Sequence, residues 1–217
     1  IYNNLMLPSL KNIIQMQLTG MPIDMAEVKK LKAAMIKERD GYINAIKVFS
    51  VVDVLIHRLR QNHVDTRNAS LKTKQITLSD EETLAIDFNP NSHQQVQELL
   101  YEIMGLPVID YTESKLPATG AETLEKLINH TDNERYKSIL ECLIKYSKVE
   151  KILSAFIPAF EEAPLAEDGM HYLFGSFNIG GTVSGRLSSS KPNMQQIPSS
   201  KSPYAKPIKK CFKAAPG

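Results

Sequence analysis

Apolar residues recur at helical spacing along most of the chain. Leu10, Ile13, Ile14 and Leu18 share one helical face, and Gly20 follows as a stop. Asp24 with Glu27 three residues on forms a capping-box pattern. The helix it opens carries Val28, Leu31, Met35 and Ile46, and is predicted to run to the Arg58–Arg60 region with a break near Gly41. Residues 61–79 show no clear period and read as a loop. Ser92 with Gln95 opens a helix through Val96, Leu99, Leu100 and Ile103, closed by Gly105. Thr119 with Glu122 starts a short helix through Leu124, Leu127 and Ile128. Thr131 with Glu134 starts a long one, with apolar positions from Ile139 to Phe160.

After Pro164 the pattern changes. The run HYLFGSFNI alternates aromatic and β-branched positions and predicts a strand. A stretch rich in glycine and serine follows, then a lysine-rich end. The fold class expected is mainly α: an elongated helical part, then a small α/β part with one or two strands.

Charge sharpens this division. The formal net charge is only +2, yet residues 171–217 hold seven basic residues and no acid. The other 170 residues hold nineteen basic and twenty-four acidic ones. An acidic body with a basic end points to a polyanion partner at that end, or to a plain solvated tail. Composition excludes other classes. No apolar run reaches the roughly 20 residues of a membrane span. The first residues show no basic, then apolar, leader pattern. Cys142 and Cys211 are too few and too far apart for a disulfide framework, and read as free thiols in a cytoplasmic setting. The five histidines show no metal-ligand spacing.

The stretch GTVSGRLSSSKPNMQQIP, residues 181–198, concentrates the candidate chemistry. Glycine lets a backbone approach a partner closely. Hydroxyls of Thr182, Ser188 and Ser189 can donate to phosphate oxygens, and Arg186 offers a planar fork of donors. Asn193 and Gln195 both donate and accept, which suits base edges and sugar oxygens. The GxxxxGK[ST] order of a nucleotide P-loop is missing. A flexible linker would need neither the prolines nor the amide run.

Thr182-x-x-Gly185-Arg186-Leu187-Ser188-Ser189, followed by Pro192-Asn193-x-Gln195-x-Ile197-Pro198, resembles the TxxGRLSS…PNxQxIP motif of family A DNA polymerases. Weaker likenesses lie at Leu7 to Asp24, Phe88 to Ser92, Lys115 to Leu127 and Lys148 to Ile157. Ser199-Ser200-Lys201-Ser202-Pro203-Tyr204 departs from the bacterial pattern, which has arginine where Ser200 stands, and looks more like phage members.

The resemblance implies a thumb and the first part of a palm. Residues 1–87 would lead from an exonuclease region, 88–163 form the thumb helices, and 164–217 begin the palm. It implies a part of a DNA-directed DNA polymerase that grips the primer–template duplex, in a bacterial or phage-infected cell. Magnesium would serve the complete polymerase, with its carboxylate ligands outside this chain, so no catalytic or metal-binding residue is expected here and the chain alone would be inactive. Partners would be primer–template DNA and the remaining palm and fingers segments. The DNA-binding residues expected are Thr182, Gly185, Arg186, Ser188, Ser189, Asn193, Gln195, Lys201, Lys209 and Lys210, with Arg186 in the minor groove at the primer terminus. The alternative is a stand-alone helical module that binds nucleic acid without catalysis.

Overall fold

The computed structural model describes residues 6–71 and 75–214. Helices dominate, and four short strands form two antiparallel pairs. The chain divides into two compact units, one from the segments up to Lys37 and from Glu150 onward, the other Glu38–Val149.

In the first unit, α1 (Leu7–Thr19) ends where expected, at Gly20, whose φ of 67° lies in the left-handed region. A Cβ there would meet the Phe174 ring at 2.7 Å, so both conformation and space call for glycine. β1 (Met21–Ile23) follows and pairs antiparallel with β2 (His171–Leu173), Met21 opposite Leu173 and Ile23 opposite His171. The Asp24 carboxylate accepts from the amides of Ala26 at 2.9 Å and Glu27 at 3.3 Å and so caps α2 (Met25–Lys47). The capping box is only half formed. Glu27 reaches forward to Lys30, and the Asp24 amide donates instead to the carbonyl of Cys211 at 2.8 Å.

The break predicted near Gly41 falls elsewhere. α2 runs unbroken past Gly41 and ends at Lys47, and α3 (Ser50–Ser70) begins after an extended Phe49. The physical reason is burial: Ile46 and Val52, on either side of the turn, are both fully buried in the core of the second unit, and Phe49 packs against it. The loop expected over residues 61–79 is also corrected, because α3 continues to Ser70. Val64 extends its buried face, and Gln61 bonds Asp65 one turn on at 2.9 Å. Residues 72–74 of that predicted loop lie outside the described residues. Beyond them, the Asn68 amide group clasps Ile76, accepting from its N–H at 2.8 Å and donating to its carbonyl at 2.9 Å.

A short helix α4 (Glu81–Leu84) precedes α5 (His93–Gln97), which Ser92 caps through the Gln95 amide. α5 passes into a π-helical turn, Glu98–Ile103, and the chain turns at Gly105 with φ of 66°. Thr119 does not cap α6 (Ala121–Leu127). Its hydroxyl bonds His93 instead, and Gly120 holds the cap position. α7 (Glu134–Lys151) starts two residues later than the Thr131 pattern implies, because the Asn133 side chain accepts from the Arg135 amide. Leu55, Leu99, Leu100, Leu127, Ile139 and Leu140 are fully buried and form the centre of the second unit's core.

Beyond α7 the helix widens into a π turn, Ile152–Phe156, and resumes as α8 (Ile157–Glu161). Pro158 accounts for the widening, since it has no N–H to give the preceding turn and its ring crowds that turn's carbonyl. Phe160 is fully buried and meets the Phe212 ring edge-on at 5.5 Å. The single strand predicted at HYLFGSFNI is two. β2 ends at Leu173, and β3 (Ser176–Asn178) pairs with β4 (Ser188–Ser190), Phe177 opposite Ser189. The chain then passes a 3-10 turn, Met194–Gln196, and α9 (Ala205–Lys210).

Candidate nucleic-acid interface

The β3–β4 hairpin presents the motif. The Phe177 amide donates to the Gln17 side chain on α1 at 2.6 Å, which anchors the hairpin's base. Its nine-residue connection, 179–187, holds Thr182, Gly185 and Arg186. A Cβ on Gly181 would stand 2.0 Å from the Ser188 hydroxyl oxygen, so any larger residue where the two arms close would have to displace that hydroxyl. At the tip the Thr182 hydroxyl donates to the Arg186 carbonyl at 2.7 Å, and the Gly185 amide donates to the Thr182 carbonyl at 3.2 Å. Gly185 has φ of 71° with open space around it, so its need for glycine is conformational. The turn leaves Arg186 exposed, and among the described residues its guanidinium has no hydrogen-bond or acidic partner.

The three serines of β4 differ. Ser188 is half-buried, with its hydroxyl 3.4 Å from the Asn178 carbonyl. Ser189 is buried and committed internally: its hydroxyl accepts from the Met194 amide at 3.2 Å and faces the Pro192 carbonyl at 3.4 Å. Ser190 is exposed. Asn193 caps the 3-10 turn by accepting from the Gln195 amide at 3.1 Å, which leaves its NH2 group and the exposed Gln195 side chain available. The structure therefore brings Thr182, Gly185, Arg186, Ser188 and Ser189 together on one hairpin, with Asn193 and Gln195 in the turn that follows it.

Lys201, Lys209 and Lys210 lie on the following segment, all exposed. Lys213 is the exception among the basic residues of this end, because it pairs with Asp24 at 3.0 Å. That ammonium is the largest cause holding the Asp24 carboxyl below its ordinary value, followed by the Glu27 amide. Arg186, Lys191, Lys201, Lys206, Lys209 and Lys210 have no acidic partner among the described residues. Sequence reasoning did not single out Gly181 or Lys191. The Gly180–Gly181 doublet was the available signal for the first; Lys191, with φ of 56°, had none. Among the described residues no group of three or more histidine, cysteine or acidic side chains could hold a metal ion. No helix among them is long and apolar enough to cross a membrane.

The family model of DNA polymerase family A matches residues 57–217, which include the whole hairpin and α9. The chain belongs to DNA polymerase family A. It is 24% identical over 210 residues to the DNA polymerase of Bacillus phage SP01, covering 91% of this chain and 22% of that protein. It is 34% identical over 111 residues to DNA polymerase I of Bacillus subtilis (strain 168), covering 51% and 12%. To the DNA polymerase of Escherichia phage T5 it is 35% identical over 132 residues, covering 60% and 14%. The chain thus spans less than a quarter of the length of these relatives. Its fold is similar to that of the POL domain of Pol1 from M. smegmatis, solved in complex with DNA primer-template and dNTP. The TM-score is 0.67 at 19% identity, covering 95% of this chain and 29% of that one.

Proposed function

We propose that this family A chain is the part of a DNA-directed DNA polymerase that grips the primer–template duplex. The observation that carries the reading is the uncommitted guanidinium of Arg186, displayed by a glycine-dependent turn within a segment free of acids. Minor-groove acceptors, purine N3 and pyrimidine O2, occur at every Watson–Crick pair. A donor fork placed there reads pairing shape and ignores sequence, which suits an enzyme that must copy any template. Thr182 and Gly185 set the turn, and Ser188 offers a hydroxyl beside it. Ser189 holds the Pro192–Met194 turn that follows the hairpin, so its contribution to DNA is positional. Asn193 and Gln195 reach the neighbouring strand edge, while Lys201, Lys209 and Lys210 neutralise phosphates.

Residues 1–87 lead into the thumb, 88–163 form it, and 164–217 open the palm. Primer–template DNA and the remaining palm and fingers segments are the partners, inside a bacterium or phage-infected cell. In the complete polymerase a divalent metal, Mg2+ in this reading, stabilises charge on the reacting oxygens. In this reading its carboxylate ligands lie on the remaining palm segments.

The test is a fluorescence-anisotropy titration of a labelled primer–template duplex with the chain across a salt series. Log affinity should fall with log salt by about 0.9 per phosphate neutralised. Lys209→Ala should lower both affinity and slope. Arg186→Ala should barely change affinity, yet slow extension strongly when placed in a complete polymerase. Salt-independent binding, or an unimpaired Arg186→Ala polymerase, would sink the reading.

A further inference from the structure

A groove of about 320 Å3 runs between the first half of α2 and α9, within the first unit and away from the hairpin residues described above. Leu31, Ala34, Met35 and Pro207 form an apolar floor. Lys206 and Lys210 stand on its rim, exposed and with no acidic partner among the described residues. They are four residues apart on α9, about 6 Å along a helix axis. At one end Lys30 is tied to Glu27 at 2.6 Å, so that pair adds little net charge and the two α9 lysines set the sign of the rim. We propose that this groove docks an acidic peptide segment that inserts an aliphatic side chain between the two lysines.

Charge complementarity picks an acidic occupant, and the floor decides its class. Nucleic acid held in a groove gains most from bases stacked on aromatic rings or arginine planes. This lining contains neither. A duplex backbone has no apolar knob to fill such a floor, and phosphates on the rim alone would leave it wet. A helical peptide with carboxylates at positions i and i+4 matches the lysine spacing and places an intervening leucine over Met35. Lys210 is shared with the duplex-binding reading but Lys206 and Ala34 are not, so the groove is tested at those two positions and that reading can fail without affecting it.

The probe is a fluorescein-labelled peptide of glutamate with leucine at every third or fourth position, titrated into the whole chain. Saturable binding is expected. Ala34→Leu, which fills the groove and leaves the charge alone, should weaken it about tenfold, as should Lys206→Glu. Each variant's thermal melt checks that it is folded. The same peptide with serine for leucine should not bind comparably, and a labelled oligothymidine should be indifferent to Ala34→Leu. Equal binding of the serine peptide would reduce the effect to charge alone and overturn the proposal. So would an absence of saturable binding, a neutral Ala34→Leu, or an oligothymidine affinity that falls with that substitution.

Discussion

The Thr182 hydroxyl reaches across four residues to the carbonyl of Arg186, 2.7 Å away, and the hairpin tip is closed by that bond. Arg186 is thus presented by a constrained loop, although its guanidinium has no hydrogen-bond or acidic partner among the described residues. The constraint matters because an unrestrained arginine would spend binding energy on being ordered.

Thr182→Val keeps the shape of the side chain and removes the donor. A hydrogen bond of this kind contributes about 1 kcal/mol net. The tip should loosen with little effect on global stability. Hydrogen exchange at the Gly185 amide, which donates to the Thr182 carbonyl, should accelerate while amides of α7 stay unchanged. An unchanged Gly185 rate would show that the backbone holds the turn without the hydroxyl.

Arg186→Ala should leave the fold intact. The residue is exposed and unpaired among the described residues, and such surface substitutions stay within about 0.5 kcal/mol. Leu140→Ala should behave oppositely. Leu140 is fully buried in the second unit's core, and deleting it costs about 2–5 kcal/mol. Urea denaturation of the two variants beside the parent reads both effects. A destabilised Arg186→Ala would mean that the guanidinium has a partner in the fold.

Three local signals in the sequence were read correctly, while the start of α7 was missed although the Asn133–Arg135 bond that sets it is local too. Gly20 stops α1, Asp24 caps α2, and Ser92 caps α5, each through neighbours within a few residues. The larger misses depend on distant chain. β1 exists because residues 21–23 find residues 171–173, a pairing that three residues of sequence cannot announce. The turn at Phe49 serves a core assembled from five helices, α2, α3, α5, α6 and α7, and its own residues look like more helix. At the candidate interface the motif was fully visible, but the roles of its serines were not. Ser188, Ser189 and Ser190 are chemically identical, and only the strand's alternation sends the middle one inward.

Asn68→Ala should free the segment after α3. The amide side chain makes both bonds to Ile76, and alanine can make neither. The Ile76 amide should exchange faster, and limited proteolysis should cut sooner between Gln75 and Asp80. Unaltered cleavage there would mean that other contacts hold the segment.

The two thiols should separate by pH and by reagent. Cys211 is fully buried on α9's C-terminal side, and burial, aided by the negative charges of Glu27 and Asp24, pushes its thiol up to about 11. Cys142 is half-buried and also raised by burial, with Lys145 opposing. Both groups are neutral below their raised values. An unfolded thiol ionises near 8.5. The contribution of Cys211 to stability is therefore complete below about pH 8.5 and declines as the unfolded state alone ionises, up to about pH 11. Cys211→Ser removes the thiol's titration and should flatten that decline, at some loss of stability near neutral pH. At pH 8 iodoacetamide should modify Cys142 slowly and leave Cys211 untouched until denaturant is added, with the products assigned by peptide mass. Rapid labelling of Cys211 in the folded chain would contradict its burial and with it the Asp24–Cys211 backbone bond that holds the end of α9.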